Sequence, residues 1–229
     1  MIDKTLSSNS NLVIPKVEII EKNLKKSFLY EITKRVIDIV GSLIGIILLS
    51  PIFLIIAVLI KIEDPNGKVF FGHKRVGYEG NLFPCWKFRT MVHNAEELLK
   101  QLTPEQKKEY EETFKLKDDP RITKIGKFLR KTSLDELPQL VNILFGQMTI
   151  IGPRPIVTKE LEKYGEYGEY LVRVKPGLSG LWQVSGRSDT SYEERVTFDM
   201  QYIVKRNIGL DLYIMFMTVV KIFKREGAY

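Results

Sequence analysis

The chain has 229 residues, of which 35 are Lys or Arg and 28 are Asp or Glu, so its formal net charge is +7. Charged residues make up 28% of the chain and aromatic residues 10%, which excludes a disordered or collagen-like protein and suits one domain with an appendage. The single cysteine, Cys85, excludes an internal disulfide, and with only His73 and His93 to join it we expect no structural zinc site. This cysteine usage is typical of a reduced, intracellular-facing chain.

Residues 1–33 are predicted to form a polar tail, and residues 34–62 are the most apolar part of the chain. No charged residue lies between Ile39 and Ile60. A helix over this run would be roughly 33 Å long, just enough to cross a hydrocarbon core of about 30 Å. The segment begins too late and is too long for a cleaved signal peptide, so we expect the mature protein to keep it.

Ser50 and Pro51 lie in the middle of this apolar segment. Because proline lacks a backbone N–H and crowds the preceding turn, a break is expected there. Both flanks of the segment are basic: Lys25, Lys26, Lys34 and Arg35 on one side, Lys61, Lys68, Lys74 and Arg75 on the other. Since such flanks favour the cytoplasmic side, the pattern favours a re-entrant helix that enters and leaves by one face. A kinked span and a buried core helix are the alternatives.

Residues 63–229 are predicted to form a small cytoplasmic catalytic domain of mixed α/β (α+β) class. A turn signal at 64–67 precedes the apolar residues Val69–Phe71, which predicts a strand, and extended structure continues to Phe88. Leu134–Phe145 has apolar residues at helical spacing.

Two charged helices are expected between these regions. The first begins at Asn94, a candidate cap, and the second at Thr103, with Gln106 in the capping-box position. They are interpreted either as a solvated pair that covers the domain or as an insertion that shapes substrate choice. Further along, Leu210–Phe223 has the composition of an amphipathic helix, which would lie in a membrane interface or pack in the core.

The densest cluster of polar residues runs from Arg121 to Arg154 and contains the adjacent carboxylates Asp135 and Glu136. Carboxylates among many cations suit a phosphate site, because cations bind phosphate oxygens while carboxylates hold Mg²⁺ or attack phosphorus. The alternative is structural, since Ser133 and Glu136 have the spacing of a capping box. The basic residues are also suited to anionic lipid headgroups. No nucleic-acid partner is expected, because no recognised binding motif is present.

Two further stretches place cations in defined positions. Lys87 and Arg89 would lie on the same side of an extended segment. The stretch Pro153-Arg154-Pro155 holds a guanidinium between two rigid residues, which reduces the entropy lost when it grips an anion.

Taken together, these stretches resemble the bacterial sugar transferase family, the monotopic phosphoglycosyl transferases. The matching motifs, in the family's order, are KRVIDIVGSLIGIILLSPIFLIIAVLIKIEDPNGKVFF, KFRTM, DPRITKIGKFLRKTSLDELPQL, GPRP and KPGLSGLWQVSGR, and they cover about residues 33–225. The resemblance implies transfer of a sugar 1-phosphate from a UDP-sugar to undecaprenyl phosphate with release of UMP. This would be the first membrane step of exopolysaccharide or other surface glycan synthesis, on the cytoplasmic face of the inner membrane.

The resemblance also implies roles for individual residues. Asp135 would be the nucleophile that forms a phosphosugar–aspartyl intermediate, and Glu136 would share Mg²⁺ coordination with it and manage protons. The implied substrate-binding residues are Lys87, Arg89, Arg130, Pro153, Arg154 and Pro155. Ser50 and Pro51 would be the break that makes the membrane helix re-entrant.

The charged insertion resembles that of longer members that act on galactose 1-phosphate or sometimes glucose 1-phosphate. One departure from the family is Gln147, which stands where the family usually has Asp, and no role is assigned to it. Two other functions stay open: a non-catalytic module that binds membrane surfaces and anionic lipid, and a direct glycosyltransferase that releases UDP. A homo-oligomer is also compatible with the sequence.

Overall fold

The computed structural model describes residues 12–101, 119–185 and 191–224, with residues 103, 106, 107 and 116 between the first two ranges. Its described part is rich in helices and has small sheets, which confirms the predicted mixed α/β class. The helices are α1 Val17–Leu24, α2 Phe28–Glu63, α3 Ala95–Lys100, α4 Lys124–Thr132, α5 Gln139–Leu144, α6 Thr158–Leu161, α7 Gly168–Leu171, α8 Leu181–Ser185, α9 Tyr192–Lys205 and α10 Ile208–Lys224. The strands are β1 Phe70–Val76, β2 Leu82–Phe88, β3 Thr149–Ile151 and β4 Gly177–Ser179.

The chain divides into two compact units. The first unit consists of the described residues within 1–48, 72–86 and 139–228, and the second of those within 49–71 and 87–138. Helix α2 contributes to both units, and so do the paired strands β1 and β2.

Helix α2 is, by length and composition, able to cross a membrane. The helical assignment is continuous from Phe28 to Glu63 with Pro51 inside it. Large apolar side chains along both halves are exposed, among them Ile39, Val40, Leu43, Ile44, Ile47, Leu48, Leu54, Ile55, Val58, Leu59 and Ile62. Because monomeric soluble proteins rarely expose apolar patches of this size, the helix has a surface suited to lipid. Its re-entrant path through a membrane stays a prediction.

The first half of α2 lies against the first unit by a narrow polar and small-residue face. Asp38 accepts hydrogen bonds from Thr149 Oγ1 at 3.0 Å and from the Ile150 N–H at 2.8 Å. At Gly41 an added Cβ would lie 2.9 Å from the Ile150 side chain. Residues 38 and 41 are about one turn apart, so they share one side of the helix, and exposed apolar residues such as Val40 and Leu43 lie on another.

A buried polar network connects the start of α2 to the C-terminal helices of the first unit. Asp211 accepts from Lys34 Nζ at 2.8 Å and from the hydroxyl of Tyr202 at 2.8 Å. Lys34 also donates to the carbonyl oxygen of Ile151 at 2.8 Å. Tyr202 is fully buried and Asp211 nearly so, so removing one partner would leave an unpaired polar group in the core.

Strands β3 and β4 form a short parallel pair in the first unit, with Thr149 opposite Gly177 and Ile151 opposite Ser179. The chain after β3 passes very close to β4. A Cβ added at Gly177 would lie 2.1 Å from the Gly152 nitrogen, and one added at Gly152 would lie 2.6 Å from the Lys175 carbonyl oxygen. The glycines of the GPRP and KPG motifs therefore permit this backbone approach.

The second unit has its own apolar core. Ile56 and Ile60 of α2 pack with Phe88 at the end of β2 and Leu129 of α4. The ring of Phe53 meets Phe88 edge to face at a centroid distance of 5.2 Å. This cluster fixes the second half of α2, the end of β2 and α4 as one body.

Several predicted elements are confirmed. The strand at Val69–Phe71 is the start of β1, and the amphipathic helix over Leu210–Phe223 is α10. Thr103 and Gln106 form the predicted reciprocal capping box, with bonds of 3.2 and 3.3 Å. The rest of that second charged helix lies mostly outside the described residues.

Asn94 does not cap by its side chain, although it stands at the N-cap position of α3. Its backbone has φ −98° and ψ 28° rather than the extended conformation of a capping residue.

Candidate active site

Asp135 and Glu136 lie on a single 3-10 turn, Leu134–Glu136, in the second unit. The side chain of Asp135 is 11% exposed and that of Glu136 is 21% exposed, so both are accessible yet largely shielded. Ser133 precedes them in the left-handed conformation, with φ 57°, and makes no side-chain capping bond. The capping-box interpretation is therefore wrong, because this backbone conformation ends α4 instead of starting a helix.

The predicted continuous helix over Leu134–Phe145 is also divided. The 3-10 turn ends at Glu136, and α5 begins only at Gln139, after Pro138. Proline has no N–H to donate back to Leu134, so an α-helix that began there would lack that bond. The division separates the two carboxylates from the helix that follows them.

Lys87 lies beside both carboxylates. Its Nζ is 2.6 Å from Oε1 of Glu136 and 3.7 Å from Oδ2 of Asp135. Two adjacent carboxylates repel one another, and a cation placed against both offsets that repulsion. The structure thus brings together residues that are 49 positions apart in the chain.

Arg130 is the second cation of this group. Its Nε donates to the hydroxyl of Thr90 at 2.9 Å. Burial lowers the pKa of its guanidinium, while the charge of Asp135 acts in the opposite direction. Because an arginine stays protonated in proteins, Arg130 supplies a fixed positive charge close to Asp135.

A tight backbone contact sets the position of Arg130. The Thr90 carbonyl oxygen accepts from the N–H of Thr123, the cap of α4, at 3.1 Å. A Cβ added at Gly126 would lie only 2.0 Å from that same oxygen. Helix α4 can therefore lie against the Thr90 segment only because residue 126 is glycine.

Arg121, the first residue of the polar cluster, forms a buried pair with Asp119, which the sequence analysis did not assign to a site. Arg121 donates to Asp119 from its backbone N–H, from Nε and from Nη2, at 3.0, 2.8 and 2.7 Å. Burial works to raise the pKa of Asp119, but the hydrogen bonds from Arg121 outweigh it and hold that pKa below its usual value. A charged Arg121–Asp119 pair thus stands in electrostatic contact with Arg130.

Arg89 makes its described contacts away from Asp135 and Glu136. It donates to Oδ2 of Asp64, to the Asp64 carbonyl at 2.9 Å and to the carbonyl of Lys68 at 2.5 Å. Lys87 and Arg89 therefore contact different partners, although both belong to KFRTM. Substrate binding by Arg89 stays a prediction.

Pro153, Arg154 and Pro155 belong to the first unit. The Gly177 N–H donates to the Pro153 carbonyl at 2.7 Å, and Arg75 donates to the Pro155 carbonyl at 3.3 Å. The guanidinium of Arg154 lies 6.0 Å from the centre of the Trp182 ring. The carbonyl oxygens of both prolines thus accept hydrogen bonds, and the half-buried Arg154 between them lies near an aromatic ring.

Gln147 has a structural contact. Its Oε1 accepts from Nδ2 of Asn142 at 2.7 Å. Asn142 is fully buried and also joins β2, donating to the Pro84 carbonyl at 2.8 Å and accepting from the Trp86 N–H at 2.9 Å. The position that usually carries Asp in the family thus serves here as an acceptor for a buried amide.

The donor set for a metal is small in the described part of the chain, where no group of three or more His, Cys, Asp or Glu side chains is placed to hold an ion. Asp135 and Glu136 supply two neighbouring carboxylates. Mg²⁺ typically keeps several waters and binds through one or two carboxylates and substrate phosphates. The chemistry of this pair therefore fits a Mg²⁺ that shares its remaining positions with phosphate and water.

Comparison with known proteins agrees with the motifs. The sequence matches the family described as bacterial sugar transferase over residues 29–225. It is 50% identical over 199 residues to the undecaprenyl-phosphate galactose phosphotransferase of Salmonella typhimurium, covering 86% of this chain and 41% of that protein. It is 46% identical over 201 residues to the exopolysaccharide production protein ExoY of Sinorhizobium fredii, covering 86% and 88%.

A third relative is the UDP-glucose:undecaprenyl-phosphate glucose-1-phosphate transferase of Klebsiella pneumoniae, 42% identical over 205 residues and matched over 86% of this chain and 41% of its own length. The chain thus spans less than half of the Salmonella and Klebsiella proteins and most of the Sinorhizobium protein. The resemblance read from the motifs is confirmed, and the chain belongs to the bacterial sugar transferase family.

Proposed function

We propose that this protein transfers a sugar 1-phosphate from a UDP-sugar to undecaprenyl phosphate and releases UMP. The observation that carries the proposal is the placement of Asp135 beside Glu136 with Lys87 and Arg130 close to it in the second unit. Two carboxylates with two cations can attack a phosphoryl group and absorb the charge that develops on it. The names of the relatives support the same donor and acceptor classes.

The reaction consists of two displacements at one phosphorus. A carboxylate oxygen of Asp135 attacks the sugar-bearing phosphorus, and the bond from that phosphorus to the bridging oxygen breaks, so that UMP leaves with that oxygen. An oxygen of undecaprenyl phosphate then attacks the same phosphorus and breaks the acyl phosphate bond. The products are the polyprenyl diphosphate sugar and free Asp135.

The remaining groups have distinct roles in these steps. Lys87 and Arg130 hold phosphate oxygens and neutralise charge as each bond breaks. In the first unit, Arg154, whose backbone Pro153 and Pro155 fix, is a separate candidate for binding phosphate. Glu136 takes up the proton of the acceptor phosphate as its oxygen attacks, and releases it to solvent after the product has formed.

Asp135 and Glu136 would also hold Mg²⁺. When bound there, the ion supplies positive charge to phosphoryl oxygens and favours a single orientation of the substrate.

We further propose that the protein lies on the cytoplasmic face of the inner membrane, with α2 as a re-entrant helix. The exposed apolar residues of α2 support contact with a membrane, and so does the apolar stripe of α10 formed by Leu212, Phe216, Val219 and Ile222. Residues spaced three or four apart share one helix face, so that stripe would lie in the interface plane.

Galactose 1-phosphate and glucose 1-phosphate are the favoured transferred groups. Relatives named for each sugar match the chain, at 50% identity for galactose and 42% for glucose. The product would enter exopolysaccharide or other surface glycan synthesis, as the name of the Sinorhizobium relative suggests.

The test is the nucleotide released by membranes that contain the protein, given UDP-galactose or UDP-glucose, Mg²⁺ and undecaprenyl phosphate. We expect UMP from the unaltered protein and from a Glu97→Gln control, since Glu97 is exposed on α3, and none from Asp135→Asn. Release of UDP would identify direct glycosyl transfer. Folded protein that releases neither nucleotide from any of several UDP-sugars would identify a binding module.

A further inference from the structure

Two acidic residues at the end of α2 each hold a different part of the second unit. Glu63 is the last residue of the helix and Asp64 follows it. Glu63 contacts the start of α4, whereas Asp64 contacts the segment after β2. Both of these segments carry groups of the candidate active site.

Glu63 caps helix α4 from outside that helix. Its Oε1 accepts from the Lys124 N–H at 2.7 Å, and its Oε2 accepts from the Ile125 N–H at 2.9 Å. The next N–H, that of Gly126, donates to the Thr123 hydroxyl at 2.9 Å. The first N–H groups of a helix have no partner within it, and a carboxylate there is also favoured by the helix dipole. Glu63 therefore fixes the start of α4 to the end of α2.

Helix α4 is short and leads directly to the carboxylates. Arg130 lies in its last turn, and Ser133 ends it immediately before the turn that bears Asp135. The helix has nine residues, or roughly 13 Å at about 1.5 Å per residue. Because little flexible chain separates them, a change in the orientation of the first turn of α4 would also move Arg130 and Asp135.

Asp64 holds the other side of the site. Its carboxylate accepts from the Arg89 guanidinium and from the His93 N–H at 2.6 Å, and its Oδ1 lies 3.0 Å from His93 Nδ1. Burial acts to raise the pKa of Asp64, but the hydrogen bonds from Arg89 and His93 prevail and lower it. This ionised, 7% exposed residue fixes the chain two positions after Lys87.

We propose that Glu63 and Asp64 are positioning residues that set the two sides of the active site from the end of α2. Glu63 acts through α4 on Arg130 and Asp135, and Asp64 acts through Arg89 on Lys87. The apolar contacts of Ile56 and Ile60 give α2 a fixed place in the same unit, so it can serve as the common reference. This inference rests on the proposed phosphosugar transfer for its catalytic consequence, but not for its structural one.

The experiment compares Glu63→Gln, Glu63→Asp and Thr123→Ala in full-length protein in phospholipid nanodiscs. Glutamine offers one acceptor where Glu63 offers two, whereas Thr123→Ala weakens the same helix start without touching its link to α2. We expect kcat for UMP release to fall about tenfold in Glu63→Gln, by loss of alignment rather than of affinity, with less change in KM for the UDP-sugar. Thr123→Ala should lower the unfolding temperature similarly but reduce kcat far less, and Glu63→Asp should restore part of the rate.

Hydrogen exchange supplies a readout that needs no turnover. The Lys124 and Ile125 amides should exchange faster in Glu63→Gln, while those of α9 in the first unit keep their rates. Equal kcat losses in Glu63→Gln and Thr123→Ala would overturn the proposal, because only helix stability would then matter. So would unchanged exchange at residues 124 and 125. If the unaltered protein releases no UMP, the proposed function fails, but the exchange result still decides whether Glu63 fixes α4 to α2. If Glu63→Gln does not fold, Glu63→Asp replaces it in both measurements.

Discussion

Lys87 donates a hydrogen bond of 2.6 Å from Nζ to Oε1 of Glu136, a residue 49 positions away in the chain. The same ammonium group lies 3.7 Å from Asp135. One ammonium group therefore contacts both carboxylates. A cation in this position offsets the repulsion between the two adjacent carboxylates.

Lys87→Met should lower the rate of UMP release by about 100-fold, a loss typical of removing one donor to a developing charge. The thioether keeps the length of the side chain but not its charge. Lys68→Met, at an exposed site in the same unit, is the matched control and should keep the rate of the unaltered protein. Single-turnover release of UMP measures both. A normal rate in Lys87→Met would remove this lysine from the mechanism.

Ser133→Gly should raise the free energy of unfolding, by less than about 1 kcal/mol, because glycine adopts positive φ without the steric cost that serine carries. Ser133→Val should lower it by about 1–2 kcal/mol, since a branched Cβ worsens that cost. Thermal unfolding in nanodiscs compares the three proteins. Equal stability of the glycine and valine variants would show that the left-handed conformation at φ 57° carries no strain.

Gln147→Asp should be tolerated, with UMP release within about twofold of the unaltered protein, since the contact needs only an acceptor and a carboxylate supplies one. The described role of Gln147 is to accept from Asn142. A large gain of activity in Gln147→Asp would instead show that the acid usual in the family has a catalytic role that this chain lacks.

Asn142→Leu is the contrasting change. It would leave the Trp86 N–H and the Pro84 carbonyl without their side-chain partner. Each unpaired buried group costs about 1–3 kcal/mol, so we expect a clear loss of stability, measured as a lower unfolding temperature. A variant as stable as the unaltered protein would mean that these groups find other partners.

Asp199→Asn should flatten the dependence of stability on pH. Burial raises the pKa of Asp199 from 3.8 to about 7, against the opposing hydrogen bond from Tyr164 and the charges of Arg154 and Arg195. Between these two pH values the folded state binds a proton that the unfolded state has released, so the contribution of Asp199 is present at low pH and is lost as the pH rises through 7. Unfolding temperatures at pH 5.5 and 8.5 provide the test.

In the Asn variant, the difference between those two temperatures should shrink, mainly through higher stability at pH 8.5. Tyr164 can still donate to the amide oxygen at the position of the carboxylate atom that now accepts at 2.8 Å. The same temperature difference in both proteins would show that Asp199 does not titrate in this range.

Local patterns and motifs predicted much of the fold and of the site. The capping box of Thr103, the strand at Phe70 and the amphipathic helix α10 each depend on residues a few positions apart, which spacing can reveal. The resemblance named the carboxylates and Lys87 as parts of one site, and the structure brings them together.

The missed features depend on contacts between distant segments. The Arg130–Thr90 bond spans 40 positions, and the Glu63 contacts with α4 span 61 and 62. The spacing of residues along the sequence does not show which distant residues will be in contact. The capping box predicted at Ser133 was wrong for a different reason. The Ser-x-x-Glu spacing is the same whether the serine backbone is extended, as a cap requires, or left-handed, as it is here.

Two cations in α2, just before its apolar segment, have a consequence for how the protein is made. Lys34 bonds to Asp211, and Arg35 donates to the carbonyl oxygens of Ile143 and Leu144, each at 2.8 Å. All of these partners emerge from the ribosome more than 100 residues after the cations. In the proposed membrane placement, both side chains would therefore be free to direct insertion of the nascent chain. Folding of the C-terminal part would later pair Lys34 with a carboxylate and give Arg35 two carbonyl acceptors, so the same two cations would act first in insertion and then in the folded structure.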